Sequence, residues 1–147
     1  MSNNWRDRCK NKLMPRRKAL GLIRRGDHIH LSDGSATPLG IIPGLVDPEL
    51  GLGGNEIIHL LTLGDAPYVR PEFADVFRHN ALFMGPNVRE AVAAGRADYT
   101  PVFLSEIPAL IRSGRIPIDV SIVSVSLPDA DGFCTFGTHV DINPAAT

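Results

Sequence analysis

Residues 81–106, ALFMGPNVREAVAAGRADYTPVFLSE, decide the fold. Residues 81–84 are a short apolar run, broken by Gly85 and Pro86. Proline suits a first helical turn, where its missing N–H costs nothing. Val88, Ala91 and Val92 follow at the spacing of one helical face. Gly95 stands where a left-handed C-terminal cap belongs. Residues 99–104 read as a second strand, although Pro101 interrupts its ladder. Ser105 is placed to cap a helix with Ile107, Leu110 and Ile111 on its apolar face and Gly114 at its end. Residues 118–126, rich in β-branched side chains, form a third strand. Strand, helix, strand, helix, strand predicts an α/β fold with right-handed crossovers. The mostly parallel sheet lies between helical layers, a three-layer sandwich.

A parallel sheet also predicts where chemistry sits, because ligands bind at the carboxyl ends of its strands. Those ends carry Gly85, Pro86 and Asn87, then Ser105 and Glu106, then Leu127, Pro128 and Asp129. Small and polar residues let a ligand approach the backbone. They are also ordinary turn residues.

Upstream, residues 5–25 read as helical with a restart near Pro15 and a stop at Gly26. Ala19, Leu20, Leu22 and Ile23 supply the apolar face. Residues 1–14 thus form a basic helical segment, and 15–147 the folded lobe. The cluster of Arg6, Arg8, Lys10, Lys12, Arg16, Arg17 and Lys18 reads as a solvated helix face. Residues 28–31 make a first strand, with Ile29 and Leu31 on one face and His28 and His30 on the other. In the loop 33–38, Gly34 allows a tight turn, Thr37 can cap and Pro38 can open a helix. Free backbone N–H groups among such small residues suit an anion or carbonyl. Gly40, Pro43, Gly44 and Pro48 keep the following helix short. Residues 56–63 read as a strand, 71–80 as a helical turn and an extended piece, and 128–132 as a turn. A short strand is expected at 133–136 and the start of a helix at 141–147.

A chain of 147 residues is one domain with a real core. A net charge of -1 gives no electrostatic reason to expect nucleic acid or an anionic membrane as partner. No apolar run approaches the roughly 18 residues of a membrane span, and no apolar N-terminal segment resembles a secretory signal. Cys9 and Cys134 lie far apart and read as reduced thiols, which predicts a cytoplasmic setting.

The usual motifs fail on spacing. His28 and His30 share a strand face, and His59, His79 and His139 are scattered, with no HExxH or paired CxxC, so no metal is expected. Asp129 and Asp131 open a calcium-type loop, but Val140 stands at its closing position. Gly51, Gly53 and Gly54 lack the preceding strand and following helix of a dinucleotide site. No GxSxG is present. Cys134, near His139, reads as a small thiol, and Glu106 as a helix first-turn acid.

Several short stretches occur along the one chain: Gly26-Asp27, Ala36-Thr37-Pro38, His59-Leu60, Ala66-Pro67-Tyr68 and Phe77-Arg78-His79-Asn80. With the dense run 83–141 they resemble the acetyl-CoA hydrolase/transferase family, including butyrate- and 4-hydroxybutyrate-type CoA-transferases, over residues 15–147. The resemblance implies two related α/β lobes with the active site between them. It implies a ping-pong reaction in which a glutamate attacks an acyl-CoA thioester. A mixed anhydride forms, CoA returns as a glutamyl thioester, and a second acid, or water in hydrolases, completes the exchange. The family's glutamate and glycine-rich oxyanion segment belong to the second lobe, and nothing after residue 141 matches them. No catalytic residue is therefore expected in this chain, and neither Glu56 nor Glu106 is assigned as nucleophile. The chain reads as an N-terminal lobe truncated at its C-terminal end. The Gly/Pro-rich stretch 40–54 departs from the family, whose helix usually continues there.

The resemblance points to Gly34, Ser35, Ala36, Thr37, Pro38, Gly85, Asn87, Arg89, Ser105 and Glu106 as the wall facing the acyl group and pantetheine arm. Asn87 would bond a carboxylate or amide, and Arg89 would pair with a substrate carboxylate. Coenzyme A is expected as substrate, with no permanently bound cofactor. The expected partners are acyl-CoA, a small carboxylate, the second lobe and further copies of the chain. Three alternatives are an acyl-CoA hydrolase, a non-catalytic remnant and a sugar-phosphate isomerase, whose phosphate loop is missing.

Overall fold

The computed structural model describes residues 5–147. Residues 1–4 of the basic segment and the side chains of Arg6 and Arg8 lie outside the described residues. The rest of that segment forms α1 (Trp5–Arg8) and a 3-10 turn at Lys10–Lys12, before α2 (Arg16–Leu20) starts directly after Pro15.

Five parallel strands form the sheet: β1 (His28–Leu31), β2 (Asn55–His59), β3 (Phe77–Ala81), β4 (Ala97–Tyr99) and β5 (Val120–Ile122). Their order is β4-β3-β2-β1-β5. The remaining helices are α3 (Ile42–Leu45), α4 (Arg89–Ala93), α5 (Ile107–Arg112) and α6 (Asn143–Ala146). Strands buried on both faces need apolar cover on each. On one face Ile29, Leu31 and Ile57 pack with Leu20 of α2 and with Ile42 and Leu45 of α3. On the other Ile58 packs with Ile107 and Ile111 of α5 and Ala146 of α6. The α/β fold with three layers is thus present. Each fully buried Leu or Ile contributes about 1.5–3 kcal/mol.

Several boundaries differ from the sequence reading, each for a physical reason. The strand expected at 81–84 ends at Ala81 and begins at Phe77. Its polar residues are satisfied inside the fold: His79 Nδ1 lies 2.8 Å from the Ile57 carbonyl, and Asn80 accepts from Thr100 Oγ1 at 2.7 Å. The strand expected at 99–104 is Ala97–Tyr99, since Pro101 has no N–H to extend a ladder. That expected at 118–126 pairs only over Val120–Ile122. No strand forms at 133–136, where exposed backbone instead closes a turn through Asp129. Ser105 does not cap α5. A 3-10 turn at Leu104–Glu106 precedes the helix, and the Phe103 N–H donates to Glu106 Oε2 at 3.3 Å. Thr37 does not cap a helix either: it donates to the Gly34 carbonyl at 2.7 Å and accepts from the Leu63 N–H at 3.0 Å. The chain from β4 to β5 crosses the whole sheet, so these two strands form opposite edges.

Three histidines are buried in the sheet. His59 and His79 stack with centroids 4.2 Å apart, and His59 Nε2 lies 2.7 Å from the Tyr68 hydroxyl. His30 lies 2.8 Å from Ser121 Oγ. Burial lowers the pKa of His30 and His79 to about 4, and that of His59 well below its ordinary 6.5, where the His79 charge adds to the effect. The unfolded chain therefore binds more protons than the folded one between those values. This stability is full above pH 6.5 and is lost as pH falls toward 4. Denaturant titrations should show unfolding free energy dropping over that window, and a His30→Gln, His79→Gln double variant should flatten the slope. A wild-type profile level from pH 7 to pH 4.5 would contradict the burial of neutral imidazoles.

Candidate functional site

All five strands run the same way, so their carboxyl ends meet on one side of the molecule. The end of β1 continues into Ser32, Asp33 and Gly34. Asp33 is buried, and its carboxylate accepts from the Leu60 N–H at 3.3 Å and binds His139 Nε2. The Gly34 N–H donates to the Leu61 carbonyl at 2.8 Å, lacing the tips of β1 and β2 together. Gly34 takes φ +51°, and a Cβ there would overlap the His139 ring, so the site requires glycine. Asp141 Oδ2 lies 3.4 Å from the same Nε2, with Asp141 held at φ +37°. Burial and then the Asp141 charge raise the Asp33 pKa, and the bonds to His139 and Leu60 only partly oppose them.

A cleft of about 450 Å³ opens over these tips. Its walls are Leu60, Leu82, Val102 and Ile107, and Asp33, Gly34, His139 and Asp141 form its polar end. Phe83, Phe103 and Leu104 stand on its rim, 56%, 77% and 56% exposed. Apolar side chains that open to water beside a cleft mark a binding surface. The segment carrying His139 and Asp141 closes one end of the cleft and leaves the rest open.

The structure disperses the residues singled out from sequence. Gly34 lines the cleft, while Ser35 and Ala36 line a neighbouring groove of about 310 Å³ shared with Ser124, Ser126 and Gly137. Ser35 Oγ lies 3.0 Å from Thr138 Oγ1. Thr37 and Pro38 are buried behind that loop. Gly85 is buried against Leu61 and Asn87. Asn87 donates to the Thr62 carbonyl at 3.1 Å, to Thr62 Oγ1 at 3.2 Å and to the Gly64 carbonyl at 3.1 Å. It borders a separate hollow beside Glu90 and Arg96. Arg89 is exposed at the start of α4. Ser105 and Glu106 are exposed on the outer lip, beside Leu104.

Asp33, His139 and Asp141 were not singled out as a group, since 106 residues separate Asp33 from His139. Their donor atoms lie within 4.8 Å of one another, among the described residues. His139 Nε2 is already shared by the two carboxylates, which accounts for the cluster as an ion-paired network. No described helix is long and apolar enough to cross a membrane.

A parallel sheet between helical layers, with an apolar cleft at its carboxyl end, defines an open-sheet α/β domain. Residues 2–147 match the acetyl-CoA hydrolase/transferase N-terminal domain, and the chain belongs to that family. It is 38% identical over 143 residues to the 4-hydroxybutyrate coenzyme A transferase of Clostridium kluyveri, covering 97% of this chain and 33% of that protein. It is 37% identical over 131 residues to a succinyl-CoA:acetate/propanoyl-CoA:succinate CoA transferase of Fasciola hepatica, covering 88% and 27%. The chain thus spans about a third of the length of the curated relatives it matches. The fold is similar to that of a 4-hydroxybutyrate CoA-transferase from Porphyromonas gingivalis, with TM-score 0.75, 24% identity and coverage of 97% and 32%. It is also similar to RipA from Yersinia pestis, with TM-score 0.82, 21% identity and coverage of 97% and 35%.

The three bonds of the Asn87 amide predict a structural role for that side chain. Asn87→Ala should cost about 1–3 kcal/mol and speed amide exchange at Leu63 and Gly64. Unchanged thermal stability and unchanged exchange would show that the amide does not hold this loop.

Proposed function

We propose that this protein forms one bank of the acyl-CoA cleft of a CoA-transferase. The enzyme moves CoA between an acyl-CoA and a short carboxylate of the acetate, butyrate or 4-hydroxybutyrate class. The observation that carries this reading is the apolar cleft over the strand tips, in a chain 38% identical to a 4-hydroxybutyrate coenzyme A transferase. Coenzyme A is then a substrate rather than a resident cofactor.

Residues 15–147 act as the lobe, preceded in the sequence by the basic segment 1–14. Leu60, Leu82 and Val102 take up the acyl chain and keep water from the thioester. Gly34 lets the backbone approach it. Ser105 and Glu106, on the lip, stand where the pantetheine arm leaves. The nucleophile is a glutamate of a second lobe facing this one. Its attack on the thioester carbonyl expels CoA thiolate and leaves an acyl-glutamyl anhydride. CoA then attacks the glutamyl carbonyl, releasing the acyl group as a carboxylate and leaving a glutamyl thioester. The incoming acid takes the CoA by the reverse sequence. The exposed Phe83, Phe103 and Leu104 support a surface that a second lobe covers, and the assembled enzyme forms homo-oligomers in the cytoplasm. The family description also names hydrolases, in which water takes the place of the second acid.

The isolated chain should show no CoA transfer from butyryl-CoA to acetate. Adding a polypeptide equivalent to the remaining two-thirds of its relatives should restore transfer. Turnover by the isolated chain that Glu106→Ala abolishes would place the nucleophile here and overturn the proposal.

A further inference from the structure

The cleft is apolar along most of its length and charged at one end. Two carboxylates, Asp33 and Asp141, share one imidazole there, that of His139. This end of the cleft thus sets two carboxyl groups against a single imidazole. The Asp33 side chain is 2% exposed and is bonded to Leu60 and His139. Asp141 and His139 keep 22% and 28% of their side-chain surface exposed and line the cleft. No lysine or arginine lines it among the described residues. The walls around this charge are Leu60, Leu82, Val102 and Ile107, which screen it far less than water does.

We propose that Asp141, held by His139, is a specificity-determining residue that admits acyl chains ending in a methyl or hydroxyl group and rejects chains ending in a carboxylate. The inference rests on the CoA-transferase reading above. A methyl terminus packs against Leu60 and Leu82. A hydroxyl terminus donates its proton to the Asp141 carboxylate. A terminal carboxylate can only accept hydrogen bonds, and it would meet a second carboxylate with no unshared cation in reach. Discrimination here works through a built-in repulsion rather than through an added contact.

Asp141→Asn tests this with little change of volume. Asparagine tolerates the left-handed backbone that Asp141 adopts, so the turn is preserved. Calorimetric titration of the intact chain with butyryl-CoA, 4-hydroxybutyryl-CoA and succinyl-CoA reads the preference directly. The wild-type chain should bind the first two at least about tenfold tighter than succinyl-CoA, and Asp141→Asn should bring the three within about threefold. His139→Gln leaves the two carboxyl groups without the imidazole between them and should widen the wild-type gap, which gives a second variant with the opposite sign. Equal wild-type binding of all three thioesters, or a gap unmoved in both variants, would overturn the inference while leaving the CoA reading standing. Failure of every thioester to bind would overturn both.

Discussion

The buried carboxylate of Asp33 is the constraint on which the functional end of the molecule depends. An ionised group out of water must be paired or bonded, or it costs several kcal/mol. Asp33 meets that demand with a backbone N–H from the residue after β2 and with an imidazole from the far end of the sequence. Three separate segments therefore converge at the tip of β1. Gly34 follows from the same requirement, because the imidazole can reach Asp33 only where residue 34 has no side chain. The tail carrying Asp141 and Ile142 is then fixed along one end of the cleft, with Ile142 in the second core.

The strands that deliver these tips are unusual in their polar content. His30, His59 and His79 lie in the sheet interior, where aliphatic residues are the common choice. Each ring makes at least one hydrogen bond, to Ser121, Tyr68 or the Ile57 carbonyl. Held neutral, the rings pack as flat, half-apolar groups. His59 brings the loop carrying Tyr68 and Thr62 against β2, and Asn87 fastens that loop from the next strand tip. His59 and Asn87 thus hold the loop that follows Leu60 and Leu61, two residues of the cleft wall.

Much of the fold was legible because its signals are local. Ile107, Leu110 and Ile111 mark their helix by spacing, and Gly95 and Gly114 take the left-handed conformations that their positions imply. The parallel sheet follows from alternating strands and helices. The strand limits were less legible, since His79 and Asn80 are polar residues whose place in the ladder depends on partners twenty or more residues away. The candidate site was legible only in part. Gly34 falls in it, while Asn87 turns toward the loop at Thr62 and Arg89 toward solvent. Asp33 meeting His139 has no local signature, because only the folded sheet brings these two residues together.

The central claim is that the carboxyl ends of β1 to β4 form a bank for an acyl-CoA. Amide chemical-shift mapping of the isotope-labelled chain during titration with butyryl-CoA tests it most directly. The account predicts concerted shifts at Gly34, Leu61, Phe83 and Phe103, which surround the cleft. Shifts confined to the hollow bordered by Asp47, Leu52 and Phe73 would contradict it.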